Sequence, residues 1–373
     1  MFIGLLFLSR LNPPQFLSPF IASPEISSTR IESDKPIIAF LPYWTVNDVQ
    51  IQYHLVDYIA YFGLNFNYDG TIQKMQNHNM EMGWYYLSQG KIDQIFTTAQ
   101  KNDVKKMIVF TAFQNDLIDT LISNPQAKAQ AIKSIVEIVD QYQLDAVNLD
   151  FEYNLGSQPS SISGSGYPEF IADLKKQIPQ VEISICLYAN AIIKNFPYQA
   201  DQLAQVSDQI ILMAYDFHNA SSSIAGPVAP INSDTSVSIS SAINSAIKKQ
   251  IDLSKIILAI PFYGYEWRTD SDQFGANTYP NTGAMASYKR VHQLIKDRHL
   301  ISDWSATAMS PFLVYQDDSG FTKQIYYEND QSIDLKLQFV NQVNLGGTAI
   351  WAIGYEGTNA SLWYIIESWR KGE

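Results

Sequence analysis

Three polar residues alternate with apolar residues in one short segment, and their types could perform acid–base chemistry. The segment reads Asp145-Ala-Val-Asn148-Leu-Asp150-Phe-Glu152. In a β-strand, side chains two residues apart point to the same face, so Asn148, Asp150 and Glu152 would share one face. Two neighbouring carboxyls away from water repel each other and lose hydration, which is a cost that folding alone does not require.

These two carboxyls could take different roles in a reaction. If Glu152 keeps its proton near neutral pH while Asp150 holds or shares charge, Glu152 can act as a general acid. Asp145 has the opposite parity to Asp150, so we expect it near the start of the strand, acting at most through a hydrogen bond to another residue. An Asp-x-Glu triplet on a solvated edge or loop would do none of this, so the interpretation depends on the surrounding elements.

Those elements are short β-branched and aromatic runs that recur from residue 36 onward, separated by helix-compatible stretches. This pattern is typical of repeated βα units with a parallel sheet. Eight runs can be counted, at 37–44, 56–66, 105–113, 146–153, 182–189, 209–217, 255–265 and 347–355. The sequence therefore predicts an α/β fold, a closed (β/α)8 TIM barrel, with the acidic segment on its fourth strand. Active sites of this architecture lie at the C-terminal ends of the strands.

One catalytic domain is predicted over residues 36–371, with a small α+β insertion between strands seven and eight. The interval of about 266–344 is too long for one helix and two short loops. Within it, 312–328 reads as a hairpin that turns at Asp318-Ser319-Gly320, preceded by a helix at 287–296. This insertion would form one wall beside the barrel mouth.

Residues 1–35 are predicted to be an N-terminal leader and linker. The apolar run from Phe2 to Leu8 is far shorter than the roughly 20 residues that a membrane-spanning helix needs, so we expect no stable membrane span. A secretory signal and a dispensable leader both fit this segment. A secreted or cell-envelope location is the expectation, while a cytoplasmic one stays open.

Composition narrows the classes of partner. The chain has 25 Lys and Arg against 37 Asp and Glu, a net charge of −12, which argues against binding nucleic acid or anionic lipid. Its one cysteine and five scattered histidines without HExxH spacing give no expected metal site. Aromatic residues make up 13%, a surplus that could serve as core or as stacking surface for sugar rings.

The acidic segment resembles the DxxDxDxE signature of glycoside hydrolase family 18, the chitinase-like (β/α)8 hydrolases. Further similarities to that family are Met213-Ala-Tyr215-Asp216 on strand six, Pro261-Phe-Tyr-Gly264 on strand seven and Gly346-Gly-x-x-x-Trp351 on strand eight. The resemblance covers about residues 36 to 370. Together and in this order the motifs are highly specific, whereas any one of them would be weak.

The resemblance implies hydrolysis next to N-acetylglucosamine in chitin, chitooligosaccharides or peptidoglycan, without a metal or organic cofactor. The nucleophile would be the substrate's own 2-acetamido carbonyl. Glu152 would protonate the glycosidic oxygen, Asp150 would hold the acetamido nitrogen, and Tyr215 would position the acetamido oxygen. The further residues implied for binding substrate are Trp351, Tyr43, Met213 and Asp216.

Some details resemble bacterial spore and cell-wall members of the family more than large chitinases. They are the runs at 226–231, 326–333 and 351–356. Two departures from the family pattern matter: Asn148 stands where the signature has its second acid, and strand three carries Phe110-Thr111-Ala-Phe113. These departures keep a second hypothesis open, a chitinase-like carbohydrate-binding protein with little or no turnover.

Overall fold

The computed structural model describes residues 30–31, 33–154, 164–233 and 237–373. The expected N-terminal leader therefore lies mostly outside the described residues. Within the described ranges, no helix combines the length and apolar character needed to cross a bilayer.

Fifteen strands occur in the described residues. In chain order they are β1 (Ile37–Pro42), β2 (Tyr58–Asn65), β3 (Met75–Gln76), β4 (Asn79–Met80), β5 (Lys105–Ala112), β6 (Ala146–Phe151), β7 (Glu182–Tyr188), β8 (Gln209–Met213), β9 (Ile256–Pro261), β10 (Tyr263–Arg268), β11 (Ala284–Ser287), β12 (Asp303–Ser305), β13 (Ser310–Gln316), β14 (Thr322–Tyr326) and β15 (Gly347–Trp351).

The α-helices of the described residues alternate with these strands. They are α1 (Met82–Ser88), α2 (Lys91–Lys101), α3 (Asn115–Ser123), α4 (Pro125–Tyr142), α5 (Tyr167–Gln177), α6 (Ala189–Lys194), α7 (Ala200–Val206), α8 (Ile239–Lys248), α9 (Tyr288–Arg298), α10 (Asp330–Gln342) and α11 (Ser361–Lys371).

Eight strands close into a barrel in the order β1-β15-β9-β8-β7-β6-β5-β2. Every pair in this ring is parallel, including the closing pair, in which Ile37 lies opposite Thr348. The barrel confirms the predicted (β/α)8 fold and makes β6 its fourth strand. Helix α4 delivers the chain into β6; Asn124 caps it by accepting hydrogen bonds from the N–H groups of Gln126 and Ala127, and Pro125 occupies its first turn.

The insertion is a five-stranded antiparallel sheet in the order β11-β10-β14-β13-β12, accompanied by α9. Its β13–β14 hairpin turns at residues 317–321, as the sequence predicts. The run at 255–265, interpreted from sequence as one strand, is instead two: β9 in the barrel and β10 in the insertion sheet. Apolar and aromatic residues continue across the junction, so the pattern does not reveal the change of sheet. Helix α10 packs against β9 and β15, so the predicted insertion at about 266–344 included one barrel helix.

A buried ion pair joins the insertion to the barrel. Glu328 follows β14, and its Oε2 lies 2.6 Å from the Nζ of Lys336 on α10. Both side chains are 1% exposed or less, and the hydroxyl of Ser332 donates a further hydrogen bond to Oε2 of Glu328. The carboxylate and the ammonium are thus compensated inside the protein, at the point where the insertion returns to the barrel.

Candidate active site

Strand β6 separates its side chains in the way that its alternation predicts. Val147, Leu149 and Phe151 belong to the large apolar cluster that the helices share with the outside of the barrel. Asn148 and Asp150 point to the opposite side, and Glu152 follows directly after the last residue of the strand. The acidic face therefore runs up the barrel interior to its C-terminal end.

A cavity of about 240 Å³ opens at that end of the barrel. It brings together Asp150, Glu152 and Tyr215, the three residues for which the resemblance implies catalytic roles. Three of the four residues implied for binding substrate also line it. The full lining is Phe40, Phe62, Asp150, Glu152, Cys186, Tyr188, Ile211, Met213, Tyr215, Asp216, Tyr263 and Trp351.

The Glu152 carboxyl is strongly biased toward its protonated form. Burial raises the pKa of Glu152 well above its usual range, and the nearby charges of Asp150 and Asp216 raise it further. A carboxylic acid that holds its proton at neutral pH can donate that proton to a bound oxygen atom.

Asp150 is the second perturbed carboxyl. Burial raises the pKa of Asp150 to about 7, against a smaller opposing effect of the Cys186 thiol. Its Oδ1 is buried and has no hydrogen-bond partner among the described residues. A buried acceptor without a partner is costly, so this oxygen is suited to a donor that arrives with a ligand.

Asn148 lies one step below Asp150 on the same face and is fully buried. Its Nδ2 donates to Oγ of Ser184 at 2.8 Å, and its Oδ1 accepts from the thiol of Cys186 at 3.2 Å. Both partners are on β7, the next barrel strand. The amide that replaces the second acid of the signature is therefore held by two hydrogen bonds and carries no charge.

Tyr215 and Asp216 follow β8 rather than lying within it. Burial raises the pKa of Tyr215 well above its usual range, so its phenol stays a hydrogen-bond donor. Asp216 has a φ of 58°, in the left-handed region, and its carboxylate accepts hydrogen bonds from the hydroxyls of Tyr263 and Tyr265. These two phenols come from β10, so the insertion sheet contributes directly to the site.

Trp351 is the last residue of β15 and forms an aromatic wall of the cavity. Its ring centroid lies 4.8 Å from Phe62, 5.7 Å from Phe40 and 6.3 Å from Trp44, each in an edge-to-face arrangement. Contacts of this kind fix the orientation of the indole. Its half-buried face is available to a flat, apolar ligand surface such as that of a sugar ring.

A second, wider cavity of about 750 Å³ adjoins the first and shares Phe62, Glu152 and Trp351 with it. Tyr43, the fourth predicted substrate-binding residue, lies here and not in the smaller cavity. The lining is mostly aromatic rings, amides and hydroxyls. Over the described residues, neither cavity is lined by a lysine or an arginine.

Asp145 is not brought to the site. It is exposed just before β6, at the opposite end of the strand from Glu152, and its Oδ2 accepts a hydrogen bond from the backbone N–H of Lys106 at 2.8 Å. It lines neither cavity. The structure therefore places Asp145 near the start of the strand, as expected, and its hydrogen bond joins β6 to β5 at the end of the barrel away from the cavities.

Sequence reasoning missed several residues of the site. Tyr188 ends β7 and Tyr263 begins β10, so both stand at the C-terminal mouth, where position alone could have indicated them. Cys186, a small buried residue of β7, also lines the cavity and donates a hydrogen bond to Asn148. Within the described ranges, no group of three or more His, Cys, Asp or Glu residues could hold a metal ion.

Comparison with known proteins identifies relatives with the same barrel fold and the family to which the chain belongs. Over 248 residues the chain is 26% identical to the Bacillus subtilis protein named as a sporulation-specific glycosylase, YdhD, an alignment that covers 65% of this chain and 54% of YdhD. A family 18 chitinase from Cycas revoluta, solved with (GlcNAc)4, superposes with a TM-score of 0.76 at 20% identity, over 90% of this chain and 99% of that one.

The Bacillus cereus spore cortex-lytic enzyme SleL superposes with a TM-score of 0.68 at 19% identity, over 89% of this chain and 74% of SleL. At these identities the two solved structures indicate a shared fold. The family model described as Glycosyl hydrolases family 18 matches residues 37–356, which contain both cavities and the acidic strand. Since this match spans most of the sequence, the chain belongs to glycosyl hydrolases family 18.

Proposed function

We propose that the protein is a retaining hydrolase of β-1,4 glycosidic bonds next to N-acetylglucosamine, in chitin, its oligomers or peptidoglycan. The observation that carries the proposal is that Glu152, Asp150 and Tyr215 line one cavity of the size of a sugar ring, where the raised pKa of Glu152 favours its protonated form. The 2-acetamido group of the substrate would be the nucleophile, as the family resemblance implies.

In the first step, Glu152 donates its proton to the glycosidic oxygen while the bond from that oxygen to the anomeric carbon breaks. The acetamido carbonyl oxygen forms a new bond to the anomeric carbon, giving a cyclic, positively charged oxazolinium. Asp150 accepts a hydrogen bond from the acetamido N–H and opposes the developing charge. Its unpartnered Oδ1 supports this role, because that oxygen lacks a donor until substrate is present.

In the second step, the Glu152 carboxylate removes a proton from water, and the water oxygen attacks the anomeric carbon. The bond to the acetamido oxygen breaks, the acetamido group is restored and Glu152 regains its proton. Two inversions at the same carbon give net retention. Tyr215 donates to the acetamido oxygen and orients it, while Trp351 and Met213 form walls around the ring.

The charged residues that line the two cavities indicate which kind of glycan would bind there. A chain of N-acetylglucosamine is uncharged, whereas muramic acid carries a carboxylate that would be repelled by the carboxylates of Glu81 and Asp216. Since no lysine or arginine lines either cavity in the described residues, binding of an uncharged stretch of glycan is favoured. The similarity to YdhD, named as a sporulation-specific glycosylase, and to the spore cortex-lytic enzyme SleL supports a glycan of the spore or cell wall as substrate.

The test is a product-resolved digestion panel of chitooligosaccharides, chitin and peptidoglycan, run with wild type and Glu152→Gln. We expect wild type to release N-acetylglucosamine-ended products with retained β configuration, and Glu152→Gln to lose about 100-fold or more in kcat. Equal activity of the two proteins would remove Glu152 from the mechanism. Glycan binding without release of reducing ends at any pH would favour the binding-protein hypothesis that Asn148 keeps open.

A further inference from the structure

We propose that Tyr198 is a positioning residue that fixes the Glu152 carboxyl through the backbone on both sides of it. Tyr198 lies between α6 and α7 and is fully buried. It is absent from the described lining of both cavities, so it acts through its neighbours and does not touch a bound sugar. The inference rests on the proposed role of Glu152 as the acid.

The phenol oxygen of Tyr198 contacts two peptide groups at once. It donates a hydrogen bond to the carbonyl oxygen of Phe151 and accepts one from the N–H of Tyr153 at 3.0 Å. These groups belong to the peptide bonds immediately before and after Glu152. A hydroxyl has one donor hydrogen and two acceptor lone pairs, so both contacts can exist together.

This double contact replaces support that the barrel no longer gives. Strand β6 ends at Phe151, and the N–H of Glu152 donates to the carbonyl of Ala112 at 2.9 Å as the last contact toward β5. Beyond that point the peptide between Glu152 and Tyr153 lies outside the strand ladder. The Tyr198 hydroxyl holds it, and it satisfies two backbone groups that would be costly to leave unpaired when buried.

The Tyr198 ring is itself held by other aromatic residues. Its centroid lies 5.3 Å from the ring of Tyr153, 5.9 Å from Tyr188 and 6.1 Å from Tyr167. Tyr153 is fixed in turn by a hydrogen bond from its hydroxyl to Oδ1 of Asp119 on α3, at 2.6 Å. The Tyr198 ring is therefore held rigidly, and the orientation of Glu152 depends on the segment between α6 and α7 that contains Tyr198.

The test compares Tyr198→Phe with Tyr167→Phe. Tyr167 is a matched control: it is also fully buried, and its hydroxyl donates to the carbonyl of Leu149 at 3.3 Å, in the same strand but away from the peptides of Glu152. We expect Tyr198→Phe to lower kcat by about 10- to 100-fold with KM within about twofold, because a small displacement of a reacting group is expensive. Tyr167→Phe should keep kcat within about twofold at the same temperature, below both melting points.

Combining the variants separates positioning from general damage. In a Glu152→Gln background, Tyr198→Phe should cause no further loss of the residual activity, because the group that it orients is gone. Additive losses would overturn the proposal, and so would equal kcat values for Tyr198→Phe and Tyr167→Phe. If Glu152→Gln alone keeps full activity, the proposed function fails instead, whatever Tyr198→Phe does.

A measurement on the native chain covers the case in which Tyr198→Phe does not fold. Hydrogen exchange should protect the amide of Tyr153 as strongly as that of Glu152, although only the latter bonds to a neighbouring strand. Exchange of the Tyr153 amide at the rate of an open loop would show that the contact with Tyr198 is not formed, and would overturn the proposal.

Discussion

The thiol of Cys186 donates a hydrogen bond to Oδ1 of Asn148, 3.2 Å away, in the closed interior of the barrel. The amide nitrogen Nδ2 of Asn148 donates to Oγ of Ser184, so both polar atoms of the side chain are bonded to β7. A carboxyl at this position would add a third acid to the face of β6 that carries Asp150. Asn148 carries no charge, so Asp150 and Glu152 are the two acids on this face of the strand.

Replacing Asn148 with Asp should make the stability loss depend on pH. The protonated carboxyl can keep both hydrogen bonds to β7, but the ionised form is a buried charge beside Asp150. The pKa of this carboxyl is thus higher in the folded state than in the unfolded state, where it is about 3.9. Below that pH, the melting temperature of the variant should be close to that of wild type. It should fall progressively as pH rises toward the pKa of the introduced carboxyl in the folded state.

Thermal melts of Asn148→Asp between pH 4 and 8 test this, with an expected extra loss of about 2–4 kcal/mol at the upper end. Ser184→Ala is the control, because it removes the hydroxyl that accepts from Asn148 and donates to the carbonyl of Val147 without adding a charge. It should cost about 1–3 kcal/mol at every pH. A constant difference between Asn148→Asp and wild type would contradict the expectation.

Asp150→Asn should stabilise the protein while abolishing turnover. The pKa of Asp150 is raised to about 7 by burial, so wild type loses stability as pH rises from the unfolded value toward 7. The amide removes that loss, and the melting temperature of the variant relative to wild type should climb through this window and level off above it. Asp140→Asn, an exposed carboxyl on α4, should show no such trend. A variant that melts below wild type at pH 8 would refute the assignment.

Asp216→Asn should move the alkaline limb of the kcat profile to lower pH. The charge of Asp216 helps to raise the pKa of Glu152, so its removal lets Glu152 lose its proton earlier. A shift of about 0.5–1 pH unit is expected for a charge at the cavity mouth. Asp116→Asn serves as control, since its carboxylate accepts from Tyr68 and its charge is not among those that raise the pKa of Glu152. An unmoved limb, or one displaced upward, would show that the Asp216 charge does not reach Glu152.

Gln114→Lys should relax the proposed preference for uncharged glycans. Gln114 is exposed in the wide cavity, where the described lining has no cation. Relative to neutral chitooligosaccharides, we expect kcat/KM on muramic-acid-containing glycans to rise about threefold to tenfold, and the gain to shrink with added salt. Gln338→Lys, on an exposed position of α10, should leave the ratio unchanged. The same gain in both variants would point to overall charge and not to the cleft.

The sequence predicted the parts of the site that a local pattern encodes. Alternation in β6 correctly divided Phe151 from Asp150, because strand geometry fixes which face each residue takes. The same alternation could not predict that Tyr198 contacts this strand. Tyr198 lies 47 residues after Phe151 along the chain, and no periodicity links the two positions. The contacts of Asp216 with Tyr263 were hidden for a similar reason: they depend on where the insertion sheet folds back.

The buried pair of Glu328 and Lys336 constrains how this scaffold can be re-engineered. If the insertion is exchanged for another loop while the barrel is kept, the buried Lys336 ammonium loses its carboxylate partner. This loss would destabilise the protein by about 3–5 kcal/mol. A workable graft must carry a carboxylate at the returning end of the new segment, or convert Lys336 to an apolar residue of similar volume. The insertion is therefore a replaceable module only together with one residue of the helix that follows it.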